Sequence, residues 1–195
     1  MILLEDKAQK ENKHIIKNEY WKSKGIEVER VPLPVGDYVI ANEKTQDVMK
    51  RKNARGIQIK KMDFLGTYDV CVDSKYSIDE IVQDVAGKQH DRFKDELLLA
   101  QNNGIKLHIV IENEGGLIKY TRDVYNPTIT CLDDLHSWKN PRLFIRKNGK
   151  QLYPRATRGI TLQKILYTMQ EKYGCEFHFC TPKESGRLIV DLLEK

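Results

Sequence analysis

Long apolar runs are missing from this 195-residue chain. The richest stretch, residues 105–111, is interrupted by Lys106 and His108 and falls far short of the ~18 apolar residues of a membrane span. Met1 leads into Ile2, Leu3, Leu4, Glu5 and Asp6 with no basic leader and no cleavable apolar core. A soluble, cytoplasmic protein without a membrane partner is therefore expected. Cysteine is scarce: the four, Cys71, Cys131, Cys175 and Cys180, are scattered, which excludes a disulfide scaffold. Residues 175–180 alternate like a strand, so Cys175 shares a face with Phe177 and Phe179, and His178 shares the other with Cys180. Reduced core cysteines are the better reading there than zinc ligands. No internal repeat and no Pro- or Gly-rich linker divides the chain. Charge of one sign does not dominate either: 33 Lys and Arg face 28 Asp and Glu, and 40% of residues are hydrophobic, which excludes a disordered protein. A chain of this length buries about 70% of its unfolded surface, enough for one core without staples.

What is present is an alternation of strand and helix signals. Strands are expected at residues 1–4, 26–31, 38–41, 68–72, 105–111 and 175–180. Residues 7–24 are expected as a polar helix with Ile15, Ile16 and Tyr20 on its apolar side, stopped by Gly25. Ile78, Ile81, Val82, Val85 and Ala86 repeat at helical spacing, and Ser77 with Glu80 forms the signature of a capping box. Phe93, Leu97 and Leu98 mark the next helix, and Leu162, Ile165, Leu166, Met169 and Tyr173 another, closed by Gly174. Thr181, Pro182 and Glu184 open the last one. This order argues an α/β fold: a mixed central sheet with helices on both faces. One domain over 1–195 is expected, with a basic insertion at about 44–66 and an irregular one at about 113–157.

The net charge of +5 permits an anionic partner without demanding one. The bias is local. Residues 50–61 carry Lys50, Arg51, Lys52, Arg55, Lys60 and Lys61 and no acid, so a solvated loop and a phosphate-contacting segment both fit.

Acid-x-Lys occurs three times, at Glu5/Lys7, Glu11/Lys13 and Asp73/Lys75. Only the last closes an apolar strand and opens a capped helix. Residues two apart on a strand point to one side, so Asp73 and Lys75 project together. A carboxylate there can hold Mg²⁺, with Asp37 in a separate turn as the second ligand. The ammonium can orient a water or stabilise negative charge.

Leu33, Pro34, Val35, Gly36, Asp37 and Tyr38, then Val72, Asp73, Ser74 and Lys75 with Asp79 beyond, then Arg92, Phe93 and Lys94, together resemble the nuclease domain of XPF-type structure-specific endonucleases. That family's core motif reads Gly-Asp, a spacer, Glu-Arg-Lys, three residues, Asp. The resemblance implies the restriction-endonuclease-like PD-(D/E)xK fold and a Mg²⁺-dependent (or Mn²⁺-dependent) endonuclease acting on DNA, with branched or flapped DNA as substrate and a homodimer as assembly. By position it implies Asp37 and Asp73 as metal ligands, Asp6 as a further acid at the metal, Lys75 as the catalytic lysine and Asp79 as the motif's last acid. It implies Arg92 and Lys94 as DNA contacts, to which the run Lys50, Arg51, Lys52 and Arg55 adds a candidate backbone tract. Glu112, closing its strand, is a further candidate. Ser74 stands where the motif has arginine, so the ion pair of that arginine is expected to be absent. The substitution keeps two other readings open: a DNA-binding module of the same fold with weakened catalysis, and a junction-resolvase or restriction-type nuclease.

Overall fold

The structure, a computed structural model, describes residues 1–10 and 15–195. In chain order the elements are β1 (Ile2–Asp6), α1 (Ile15–Ser23), β2 (Glu27–Val31), β3 (Tyr38–Ile40), α2 (Glu43–Ala54), β4 (Val70–Lys75), α3 (Ile78–Ala86), α4 (His90–Asn102) and β5 (Lys106–Glu112). Two small hairpins follow, β6 (Gly116–Leu117) with β7 (Tyr125–Asn126) and β8 (Arg146–Lys147) with β9 (Lys150–Gln151). The chain closes with α5 (Gly159–Tyr173), β10 (Glu176–Cys180) and α6 (Pro182–Leu193).

Six strands form the central sheet in the order β10-β5-β4-β3-β1-β2. β3 runs antiparallel to β1 and β4, and the other neighbours are parallel. A sheet covered on both faces needs apolar side chains in both directions, and β5 supplies them: Leu107, Ile109 and Ile111 pack on one side and Val110 on the other. α3, α4 and α5 cover the first face. α1 and α6 cover the second, around Leu3, Trp21, Tyr38, Val72, Val110 and Ile189. Each fully buried large apolar side chain contributes roughly 1.5–3 kcal/mol, and the two layers fix β4 between them.

Three elements differ from the sequence expectation. In α1 the buried residues are Lys17 and Trp21, while Ile15 and Ile16 are exposed. The helix turns this way because Trp21 Nε1 donates to Gly186 O of α6 at 2.9 Å, and a Cβ on Gly186 would come within 3.3 Å of the Lys17 and Tyr20 atoms. The start of that predicted helix, residues 11–14, lies outside the described residues. In the basic segment, residues 43–54 form a full helix: Asn42 Oδ1 accepts from Thr45 N–H and Thr45 Oγ1 from Asn42 N–H, each at 2.9 Å. It lies in the connection between β3 and β4, which are antiparallel neighbours. Within 113–157, Trp138 is buried in the core rather than displayed.

Candidate functional site

The site forms where the ends of β1 and β4 meet the turn before β3. Gly36 carries φ +73°, and a Cβ there would lie 3.0 Å from Cys71 Cβ and Sγ, so both the turn and the close approach require glycine. That turn aims Asp37 across the sheet. Asp37 N–H donates to Val72 O at 2.7 Å, Asp37 O accepts from Asp6 N–H at 2.8 Å, and Asp37 Oδ2 accepts from Ser74 N–H at 2.8 Å. The three acids Asp6, Asp37 and Asp73 are thereby brought together, and all are buried.

They line a cavity of about 400 Å³ together with Gln9, Lys61, Lys75, Arg92 and Glu96. Lys75 Nζ lies 2.7 Å from Asp73 Oδ2 and 2.9 Å from Asp84 Oδ2, and sits 5.1 Å above the Phe93 ring. Burial opposes its charge, but Asp73, then Asp84 and Asp37, outweigh burial and hold its pKa above the ordinary lysine value. Asp6 Oδ1 accepts from Leu33 N–H at 3.1 Å, and Lys61 Nζ reaches Asp6 Oδ2 at 3.5 Å. Glu96 Oε1 accepts from Gly36 N–H at 2.9 Å and so holds the turn from behind.

Acids outnumber bases on this wall. Asp6, Asp37, Asp73, Glu80, Asp95 and Glu96 face Lys61, Lys75 and Arg92. The Asp37 carboxyl is pushed well up by burial and then by the charge of Asp73. Burial, then Asp73, also raises Glu96. Asp73 Oδ2 is buried and has no aligned hydrogen bond among the described residues, leaving only the ammonium at ion-pair distance. A carboxylate-rich hollow with an unsatisfied oxygen suits a hard divalent cation, whose preferred donors are carboxylate oxygens. It does not by itself suit a phosphate.

The remaining predicted residues are distributed differently. Arg92, Glu96 and Leu99 line the cavity at helical spacing on α4, and Lys94 lies off that face. Asp79 lies outside the cavity wall, exposed in the first turn of α3, where an acid favours the helix N-terminus. Lys50, Arg51 and Arg55 are exposed on α2, and Lys52 pairs with Asp63 at 2.9 Å. Arg51, Lys52 and Arg55 border a separate hollow.

Ser74 and Glu112 point to the opposite face. Lys17 Nζ donates to Ser74 Oγ at 2.6 Å and to Glu112 Oε1 at 2.8 Å, all buried. A cation is thus present beside Ser74 after all, supplied by α1 rather than by the motif position itself. Asp84, Glu96 and Lys17 had not been singled out in the sequence. Each is a charged residue on the buried side of a helix, three or four residues from Ile81, Phe93 or Trp21, and that was the available signal.

The ERCC4 domain family matches residues 6–192 of the chain. No curated protein matches it. Among solved structures, XPF from Aeropyrum pernix in complex with DNA is similar with a TM-score of 0.52 at 13% identity, over 99% of this chain and 63% of that one. At that identity the likeness shows the fold, and the chain spans less than two thirds of that structure's length.

Proposed function

From the premise that the chain belongs to the ERCC4 domain family, the XPF-type nucleases, we propose that it is a divalent-cation-dependent endonuclease cutting DNA phosphodiester bonds, with branched or flapped DNA as its substrate. The observation that carries this reading is the convergence of Asp37, Asp73 and Lys75 on one acidic cavity. In this reading residues 1–195 act as one nuclease domain with insertions at about 44–66 and 113–157.

Asp37 and Asp73, with Asp6 beside them, would hold Mg²⁺ or Mn²⁺. A cation bound there supplies an acidified water and offsets phosphate charge. The protein does the positioning. Lys75 is clamped by Asp73 and Asp84, so its ammonium meets the attacking water or the phosphate oxygens without reorganising, which is the condition for strong electrostatic stabilisation. Arg92 and Lys61, on the cavity wall, draw the DNA backbone over an otherwise repulsive hollow. Lys94 and the α2 cations Lys50, Arg51, Lys52 and Arg55 extend this tract. Asp79 favours the start of α3 instead of the chemistry.

The test is cleavage of labelled forked, four-way-junction and plain duplex DNA with Mg²⁺, Mn²⁺ or chelator. Metal-dependent cuts placed near the fork support the proposal. Equal cutting of plain duplex rejects the branched substrate. Metal-independent DNA binding without any cutting rejects the nuclease and leaves a binding module.

A further inference from the structure

The other face of the sheet holds a second group of potential ligands, at the opposite end of β5. The register places His108 beside Glu176, with Val110 beside His178, so His108, Glu176 and His178 all face the α1/α6 layer. Asp73 and Lys75 face the other layer, since Val72 is the neighbour of His108 and Asp73 is the neighbour of Ile109.

The donor atoms converge. His108 Nδ1 lies 3.0 Å from His178 Nε2, Glu176 Oε2 lies 3.3 Å from His108 Nδ1, and Glu176 Oε2 lies 3.6 Å from His178 Nε2. A tetrahedral Zn²⁺ with bonds of about 2.0–2.1 Å requires ligand–ligand edges of roughly 3.3–3.4 Å, and the three edges bracket that value. The imidazole planes are tilted by 51° instead of stacked, so the nitrogens, not the ring faces, meet. Lys106 Nζ holds Glu176 Oε1 at 2.7 Å, leaving Oε2 for the histidines. Such outer contacts orient ligand groups, although this one also subtracts negative charge from the site. Burial, then the neighbouring His108, pushes His178 down to about 4, and burial lowers His108, so both rings are neutral and offer lone pairs.

We propose that His108 Nδ1, His178 Nε2 and Glu176 Oε2 form a zinc site separate from the nuclease centre. Two histidines and one glutamate form a three-ligand set with a fourth position for water, and the partly exposed Glu176 keeps that position open to solvent. All three ligands lie on β5 and β10. The ion therefore clips the edge strand β10 onto its only sheet neighbour. Cys175 and Cys180 take no part: Cys175 faces the other core and Cys180 packs with Val110.

The experiment strips the full chain with chelator, then titrates it with Zn²⁺ and, separately, with Co²⁺ as a spectroscopic probe. One equivalent should bind, X-ray absorption of the zinc form should show two imidazoles plus oxygen, and the thermal midpoint should rise. His178→Asn, at a quarter-exposed position, should remove the imidazole signature and the thermal shift. Asp37→Asn should keep both. No stoichiometric zinc, an all-oxygen shell, or an imidazole signature that survives His178→Asn would overturn the proposal. The first of these outcomes leaves a metal-free pair of imidazoles sharing one N–H hydrogen bond.

Discussion

The backbone N–H of Ser74 donates to Asp37 Oδ2 at 2.8 Å. This single bond joins two motif segments 37 residues apart and aims the Asp37 carboxylate at Asp73. The acidic pair is therefore fixed by main chain, and Lys75 is held by the acids.

Lys75→Met should harm both chemistry and folding. It leaves buried Asp73 and Asp84 without their shared ammonium, and breaking a buried pair typically costs about 3–5 kcal/mol. Urea unfolding in chelator should show a loss of that order, and cleavage should fall at least ~100-fold. A variant as stable as the parent would mean the ammonium is not clamped.

Asp37→Asn separates the two effects. The raised Asp37 carboxyl favours the folded state most fully below its unfolded pKa of 3.8, and that contribution is lost as pH rises through the raised folded value. In metal-free buffer the parent should lose stability over this window, and Asp37→Asn should lose less of it while cleaving no DNA. Urea midpoints measured from roughly pH 4 to 8 check the sign. Curves of identical shape would remove Asp37 from the titration.

Lys17→Met exposes the buried pair on the other face. Glu112 then stays buried without its cation, a loss of about 3–5 kcal/mol. The double variant Lys17→Met/Glu112→Leu should recover most of it, because replacing both partners with apolar groups is often neutral. A double-mutant cycle by calorimetry gives the coupling, and additive losses would show that the two charges do not interact.

Gly36→Ala should cost about 1–3 kcal/mol through its left-handed backbone, with a further shift forced by Cys71 at 3.0 Å. Because the turn aims Asp37, cleavage should fall by more than the stability loss explains. Cleavage assayed well below the thermal midpoint makes that distinction.

Neutralising Lys50, Arg51 and Arg55 tests α2. If these side chains track the DNA backbone, log affinity against log salt should flatten by close to one unit per lost phosphate contact. Folding should hardly change, since all three are exposed. An unaltered slope places α2 off the DNA path.

Much of this was legible in the sequence. The five apolar residues of α3 and its Ser77 cap fix the helix that follows Lys75, and Ser77 Oγ does accept from Glu80 N–H at 3.2 Å. The Glu80 side chain, however, reaches Tyr76 N–H at 2.8 Å. Strand periodicity put Asp73 and Lys75 on one side and Ser74 on the other. Hydrophobicity misled at α1, where Ile15 and Ile16 were assigned to the core and Lys17 lies there instead. A buried cation is intelligible only once Ser74 and Glu112 are known to wait beneath it, and those contacts span 57 and 95 residues. Asp84 was hidden for a similar reason: its partner Lys75 lies on the preceding strand.

β4 presents Cys71, Asp73 and Lys75 to one layer and Val72 and Ser74 to the other. Its tolerance is thus unequal for two kinds of genetic change. Exchanging a side chain perturbs one position. Adding or deleting a single residue would invert the whole ribbon, turning a hydroxyl into the acidic hollow and driving two charges against Trp21 and Tyr38. Length variation in this gene can therefore accumulate in the connections before and after β4, while a one-codon indel inside the strand would be lethal to both fold and chemistry.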